Sequence, residues 1–188
     1  MKPALMLIDL QNDYFPGGRL ELVGIDAAAV RAQTLLLAFR KSRLPIFHVQ
    51  HVALGPDATF FLPDTAGVEI HATLRPLPQE PVIKKHFPNA FRQTALLEAF
   101  CRAGIEDLVI CGAMTHMCID ATTRAAFDYG LRCRVIHDAC ATRNLIFEGL
   151  EVPAVQVHAA FMAALQARFA QVLSLEQFLA SFSPSLKA

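Results

Sequence analysis

The sequence has no tryptophan, no excess of either charge and no long apolar run. Each absence excludes something. Seventeen Lys and Arg against seventeen Asp and Glu leave no net charge, and no basic run is present. A nucleic-acid or acidic-membrane surface is therefore not expected. A transmembrane helix needs about 18 or more consecutive apolar residues, and nothing here approaches that. The N-terminal apolar stretch Ala4–Ile8 stops at Asp9, short of the roughly 7 to 15 residues of a signal-peptide core. The expectation is a cytoplasmic protein. The five cysteines, Cys101, Cys111, Cys118, Cys133 and Cys140, are odd in number and form no Cys-x-x-Cys pair. That argues against a disulfide framework or a zinc knuckle and for reduced thiols, most of them buried as small apolar residues.

What is present is a core. Hydrophobic residues make up 54% of 188, enough for one domain spanning residues 1–188 and too much for disorder. Short apolar runs alternate with helix-length amphipathic stretches. Strands are expected at 4–9, 44–49, 81–83, 107–112, 132–138 and 169–174. Helices are expected from Asp26, read as an N-cap, to about Ser42, and over 93–103, 115–129, 153–167 and 175–182. Gly104 and Gly130 close two of them. Residues 53–80 are rich in Pro, Gly, Asp and Thr without a period, and a loop that long is usually a lid or a binding loop. Continuous apolar strands imply a sheet covered on both faces, so the fold class is α/β, a three-layer αβα domain with a central, mostly parallel six-stranded sheet.

In such sheets ligands bind beyond the carboxyl ends of the strands. The residues there are Asp9 and Gln11, then His48 and His51, then Lys84 and Lys85, then the segment from Gly112 to Cys118, then Asp138. A carboxylate, a lysine and a cysteine can converge. Only a thiolate attacks, and a free thiol's pKa is about 8.5. A helix N-terminus and a nearby ammonium are expected to lower that value for Cys118, with Asp9 as proton acceptor. Unpaired N–H groups at the start of the helix can hold an oxyanion. Together these parts suit acyl transfer to water. Taken singly, a buried cysteine is equally a core residue and Asp9 a loop cap.

Three segments also carry a resemblance: Leu7–Phe15 (LIDLQNDYF), Lys85–Thr94 (KHFPNAFRQT) and Cys111–Ala126 (CGAMTHMCIDATTRAA). In that order they resemble the isochorismatase-like cysteine hydrolase superfamily, whose members include nicotinamidases, carbamoylsarcosine amidases, ureide-type amidohydrolases and isochorismatases. The resemblance implies the Rossmann-type fold of that superfamily and an Asp–Lys–Cys triad at Asp9, Lys85 and Cys118. Lys85 is preferred to Lys84 by its spacing to Phe91, and consecutive strand residues face opposite ways. It also implies a cis peptide at Ala113–Met114 and an oxyanion hole from the N–H groups of Met114 and Cys118. Residues expected around the substrate are Gln11, Phe15, His51, Phe60, Phe61 and His116, with Thr115 structural and Asp120–Arg124 an i,i+4 ion pair.

The implied activity is hydrolysis of a C–N bond in a small amide or ureide through a thioester. The alternatives are isochorismatase-type vinyl-ether cleavage or a redox-sensing thiol. Nicotinamidases of this superfamily bind a metal through an Asp-x-His pair and a further histidine. Here the segment reads His48-Val49-Gln50-His51, so no metal and no other cofactor is expected. The expected partners are a small-molecule substrate and other copies of the chain, as a dimer, tetramer or larger ring.

Overall fold

Five consecutive buried residues form the first strand, β1 (Ala4–Ile8), and a strand apolar on every residue must be covered on both faces. The computed structural model describes residues 3–182. After β1 come α1 (Ile25–Lys41), β2 (Ile46–His51), β3 (Val82–Lys85), α2 (Leu96–Ala103) and β4 (Asp107–Ala113). A π-helical turn, Thr115–Ile119, then runs into α3 (Asp120–Asp128) and β5 (Arg132–Ala141). A hairpin of β6 (Leu145–Phe147) and β7 (Leu150–Val152) follows, then α4 (Ala154–Arg168), β8 (Gln171–Leu173) and α5 (Leu175–Ser181).

The main sheet has the order β3-β2-β1-β4-β5-β8, and every neighbouring pair is parallel. The crossover through α1 runs one way from β1, and those through α2, α3 and α4 run the other. Right-handed connections therefore put α1 on one face and the other three on the opposite face. α5 joins α1, where Phe39 stacks on Phe182 with centroids 5.1 Å apart. Leu35, Leu36, Phe39, Phe100, Leu108, Ile110, Val135 and Phe178 are all fully buried, and each such side chain contributes about 1.5–3 kcal/mol. No helix of the described residues is long and apolar enough to cross a membrane.

The order of the strands reverses at β1, which lies between β2 and β4. A crevice opens at such a reversal, and Asp9 and Cys118 follow the two strands that flank it. The strands come very close there. Gly112 has φ 129° and is paired with Ile8. A Cβ on Gly112 would run into the Ile8 carbonyl, so only glycine fits.

Several boundaries differ from the sequence reading. Gly24 (φ 74°), not Asp26, caps α1; Asp26 sits in the first turn, where its charge suits the helix dipole. α2 begins at Leu96 rather than Gln93, because Gln93 has a left-handed φ of 56°. β5 does not end at Asp138. It passes a register shift and continues to Ala141. Asp138 accepts a hydrogen bond from the Leu175 N–H (2.9 Å) and pairs with Arg31 (3.1 Å), so it anchors α5 and α1 and lies outside the site. The β6–β7 hairpin breaks no apolar period and left no mark in the sequence reading. Residues 53–80 contain two 3-10 turns, 66–68 and 72–74.

Candidate active site

Asp9, the first residue beyond β1, has φ 53°. Its N–H is held by the Val49 carbonyl at 3.0 Å, and aspartate is among the residues that tolerate this left-handed region. The turn sends its carboxylate into the interior, where it has no solvent exposure. Lys85 ends β3 and is equally buried, whereas Lys84 is exposed. Strand alternation has resolved the two lysines physically.

Three groups meet at the Lys85 ammonium. Its Nζ donates to Asp9 Oδ2 at 2.7 Å and to Cys118 Sγ at 3.2 Å. It lies 2.9 Å from His51 Nδ1. Burial holds the His51 pKa down to about 4, helped by the Lys85 charge. The ring is therefore neutral and Nδ1 accepts, which uses the third proton of the ammonium. Burial alone would push the Lys85 pKa down, but its pairing with Asp9 foremost, and its bond to Cys118, hold it above its usual value. Asp9 Oδ1 has no hydrogen-bond partner among the described residues.

Cys118 sits inside the π turn, not at the first turn of α3, and is 4% exposed. π turns are frequent at functional sites. Here the turn is closed by Met114, whose carbonyl accepts from the N–H groups of Met117 (3.0 Å) and Ile119 (3.2 Å). The Ala113–Met114 peptide bond is cis. The expectation of a lowered thiol pKa is corrected. Burial pushes it up, the Asp9 charge adds to that, and Lys85 only partly offsets the two. Desolvation outweighs one ammonium because Asp9 already claims most of its charge. At rest the thiol keeps its proton.

The other expected residues make the following contacts. Gln11 is fully buried and clamps two loops, donating to the carbonyls of His51 (2.8 Å) and Val68 (2.7 Å) and accepting from the His51 N–H. Phe15 stacks on His71 at 3.8 Å. Phe61 is fully buried with its ring 5.9 Å from His51, and Phe60 packs beside it at 5.0 Å. The long loop thus folds back over the site of its own chain. His116 Nδ1 lies 2.6 Å from Thr142 Oγ1. Thr115 Oγ1 donates to the Ala141 carbonyl and lies 2.9 Å from His158 Nδ1. Arg124 pairs with Asp120 at 2.9 Å.

Ligand atoms of Asp9, His51 and Cys118 lie within 4.8 Å of one another, as a metal site would require. The Lys85 ammonium touches all three, so a divalent cation would have to displace a buried charge of its own sign. The other histidines do not converge on this point. His48 Nε2 is bound to Glu80 at 2.9 Å, and His71 Nδ1 lies 2.9 Å from Thr73. These residues do not fit a metal as they stand.

Sequence reasoning passed over Tyr14, Asp13 and Arg143. Tyr14 is 1% exposed, and its phenol pKa is raised by burial first, with the Asp9 charge adding to it. It stands in the first quoted motif, and being one of only two tyrosines in the chain was the available signal. Arg143 carried none, because the end of β5 was placed too early.

A buried thiol, a carboxylate with one free oxygen and a lysine bridging them at a strand-order reversal define a hydrolase-type site on an α/β fold. The model of the isochorismatase domain matches residues 3–177, and the chain belongs to the isochorismatase family. It is 51% identical over 179 residues to the isochorismatase family protein YddQ of Bacillus subtilis, covering 95% of this chain and 99% of that one. It is 33% identical over 144 residues to streptothricin hydrolase of Streptomyces noursei, covering 76% of this chain and 50% of that one. A crystal structure from Oleispira antarctica assigned to the isochorismatase hydrolases superposes with a TM-score of 0.92 at 50% identity, covering 96% and 97% of the two chains.

Proposed function

We propose that this isochorismatase-family hydrolase is a cysteine-dependent amidohydrolase that cleaves a C–N bond in a small amide or ureide. The observation that carries the reading is the Lys85 ammonium, bound at once to Asp9 Oδ2 (2.7 Å) and Cys118 Sγ (3.2 Å) in a site sealed from water. A lysine so placed stabilises a thiolate as it forms, and the free Asp9 Oδ1 can take the thiol proton.

In the first step Asp9 accepts that proton as Sγ bonds to the carbonyl carbon. The carbonyl oxygen becomes an oxyanion, which we assign to the backbone N–H groups of Met114 and Cys118. The C–N bond then breaks, and Asp9 returns its proton to the departing amine or ammonia. Water enters, gives a proton to Asp9 and attacks the thioester. The Sγ–C bond breaks, Asp9 returns the proton to Sγ, and the acid leaves with Cys118 and Asp9 both restored. Because the resting thiol is protonated, its proton moves together with the attack and not before it. That weighs against the redox-sensing alternative, which needs a standing thiolate.

The test is ammonia release from a panel of primary amides and ureides, with intact-mass spectra of the enzyme during turnover. Cys118→Ala is expected to lower kcat about a thousandfold or more, and the wild type to show an acyl adduct confined to the Cys118 peptide. Full turnover by Cys118→Ala would end this reading.

A further inference from the structure

Two hydrogen-bond donors on segments that border the site have no acceptor among the described residues. The Tyr14 ring is packed against Phe61, 4.6 Å between centroids, yet its hydroxyl makes no hydrogen bond among the described residues. Arg143, exposed just past β5, makes neither a hydrogen bond nor an ion pair among them. By contrast Arg31, Arg40, Arg124 and Arg134 each hold a carboxylate.

Arg143 is not on a loose segment. The Thr142 carbonyl before it accepts from the Val23 N–H at 2.9 Å, and the Thr142 hydroxyl meets His116 at 2.6 Å. Asn144 after it accepts from the Ala154 N–H at 2.8 Å. Two residues earlier, Ala141 is paired with Ala113, the residue before Met114. The backbone is thus pinned on both sides, at the carboxyl edge of the sheet and next to the nucleophile turn, with only the guanidinium left over. Its charge reaches both His116 and the buried Tyr14 phenol, the same phenol that feels Asp9.

We propose that Arg143 and Tyr14 together bind a carboxylate of the substrate, so that the amide cut at Cys118 carries a second, acidic end. A guanidinium presents two parallel N–H groups to a carboxylate, and a phenol can donate to a remaining lone pair. The substrate class is then the half-amides of short dicarboxylic acids, or ureides of comparable shape, rather than neutral or cationic amides. The substrate class rests on the hydrolase reading above; the anion site itself does not.

Two measurements separate these. The first is the rate of iodoacetamide alkylation of Cys118, read by peptide mass, in the presence of malonate, succinate or glutarate and of the matching neutral diamides. At least one diacid is expected to protect Cys118 while its diamide does not. Arg143→Ala and Tyr14→Phe should each raise the diacid concentration needed at least tenfold. The second is kcat/KM for malonamate, succinamate and glutaramate against the diamides of the same length. The best half-amide is expected to exceed its diamide at least tenfold, and both variants should collapse that ratio through KM.

Protection that depends on Arg143 and Tyr14 without any turnover would uphold the anion site and overturn the hydrolase reading. Turnover with no preference for the acidic partner, or a preference untouched by the two variants, would overturn the anion site and leave the hydrolase reading standing. Neither protection nor turnover would overturn both. Arg143 is exposed and Tyr14→Phe keeps the ring packing, so thermal unfolding within a few degrees of wild type serves as the folding control.

Discussion

Asp9 holds two tasks apart by using its oxygens differently. Oδ2 is fixed by the Lys85 ammonium, and Oδ1 is buried without a partner among the described residues. The first oxygen stabilises the fold and the second is available to a proton. Removing the charge therefore has a cost beyond chemistry. Asp9→Asn leaves a fully buried ammonium without its carboxylate and is expected to destabilise the protein by about 3–5 kcal/mol. Cys118→Ala removes only a partly compensated thiol and should cost about 1 kcal/mol or less. Urea unfolding of the two variants checks this. Similar losses would mean that the ion pair contributes no more to stability than an ordinary buried contact.

Among the secondary-structure elements, Glu80 is the tie that brings β3 to the site. Just ahead of β3, it accepts two hydrogen bonds from Arg40 of α1 at 2.7 and 2.8 Å. It lies 2.9 Å from His48 of β2 and accepts from the Leu77 N–H at 3.0 Å. Burial alone would raise its pKa, but these bonds, Arg40 foremost, bring it down to about 2. A lowered carboxylate pKa gives stability that is complete above the unfolded value near 4.5 and is lost as the pH falls through about 2. Glu80→Gln should lower stability at pH 7 by about 2–3 kcal/mol. The variant should also show a shallower decline between pH 4.5 and 2 than the wild type, by thermal melts across that range. The neighbouring device is Gly112, where φ 129° and the Ile8 carbonyl leave no room for a side chain. Gly112→Ala is expected to lower the melting temperature by roughly 10 °C or more, about 3 kcal/mol or more in a chain of this size.

In the whole molecule, the strand order and the site were legible to different depths. The continuous apolar runs of β1 and β4 announced a sheet covered on both faces. The rule that ligands sit beyond the strand ends then drew attention to Asp9, Lys85 and Cys118, which the structure brings together. Asp138 misled that same rule, because a register shift inside β5 carries the strand three residues further, and with it went Arg143. The thiol's protonation was illegible for another reason. It depends on how completely the 53–80 loop excludes water, and no local pattern reports that.

Near Phe61 the same loop is fastened to the body of the domain through Asp13. The Phe61 N–H donates to Asp13 Oδ2 at 2.6 Å, and Oδ1 of that buried carboxylate accepts from the Arg19 N–H. Asp13→Ala should free the loop to open. Iodoacetamide should then reach Cys118 about tenfold faster or more, while the exposed Cys101 keeps its rate and serves as the internal reference. Unchanged labelling of Cys118 would show that Phe61 packing and the bonds of Gln11 and Gln50 to Val68 keep the site shut without Asp13.

A thiol whose pKa is raised by burial and which is 4% exposed has a consequence for the life of the protein in an oxidant-bearing solution. Peroxide attacks thiolates, and the first product, a sulfenic acid, can proceed irreversibly to higher acids. The buried thiol offers an oxidant little exposed surface and, with its pKa raised, little thiolate. Hydrogen peroxide is therefore expected to modify the exposed Cys101 ahead of Cys118.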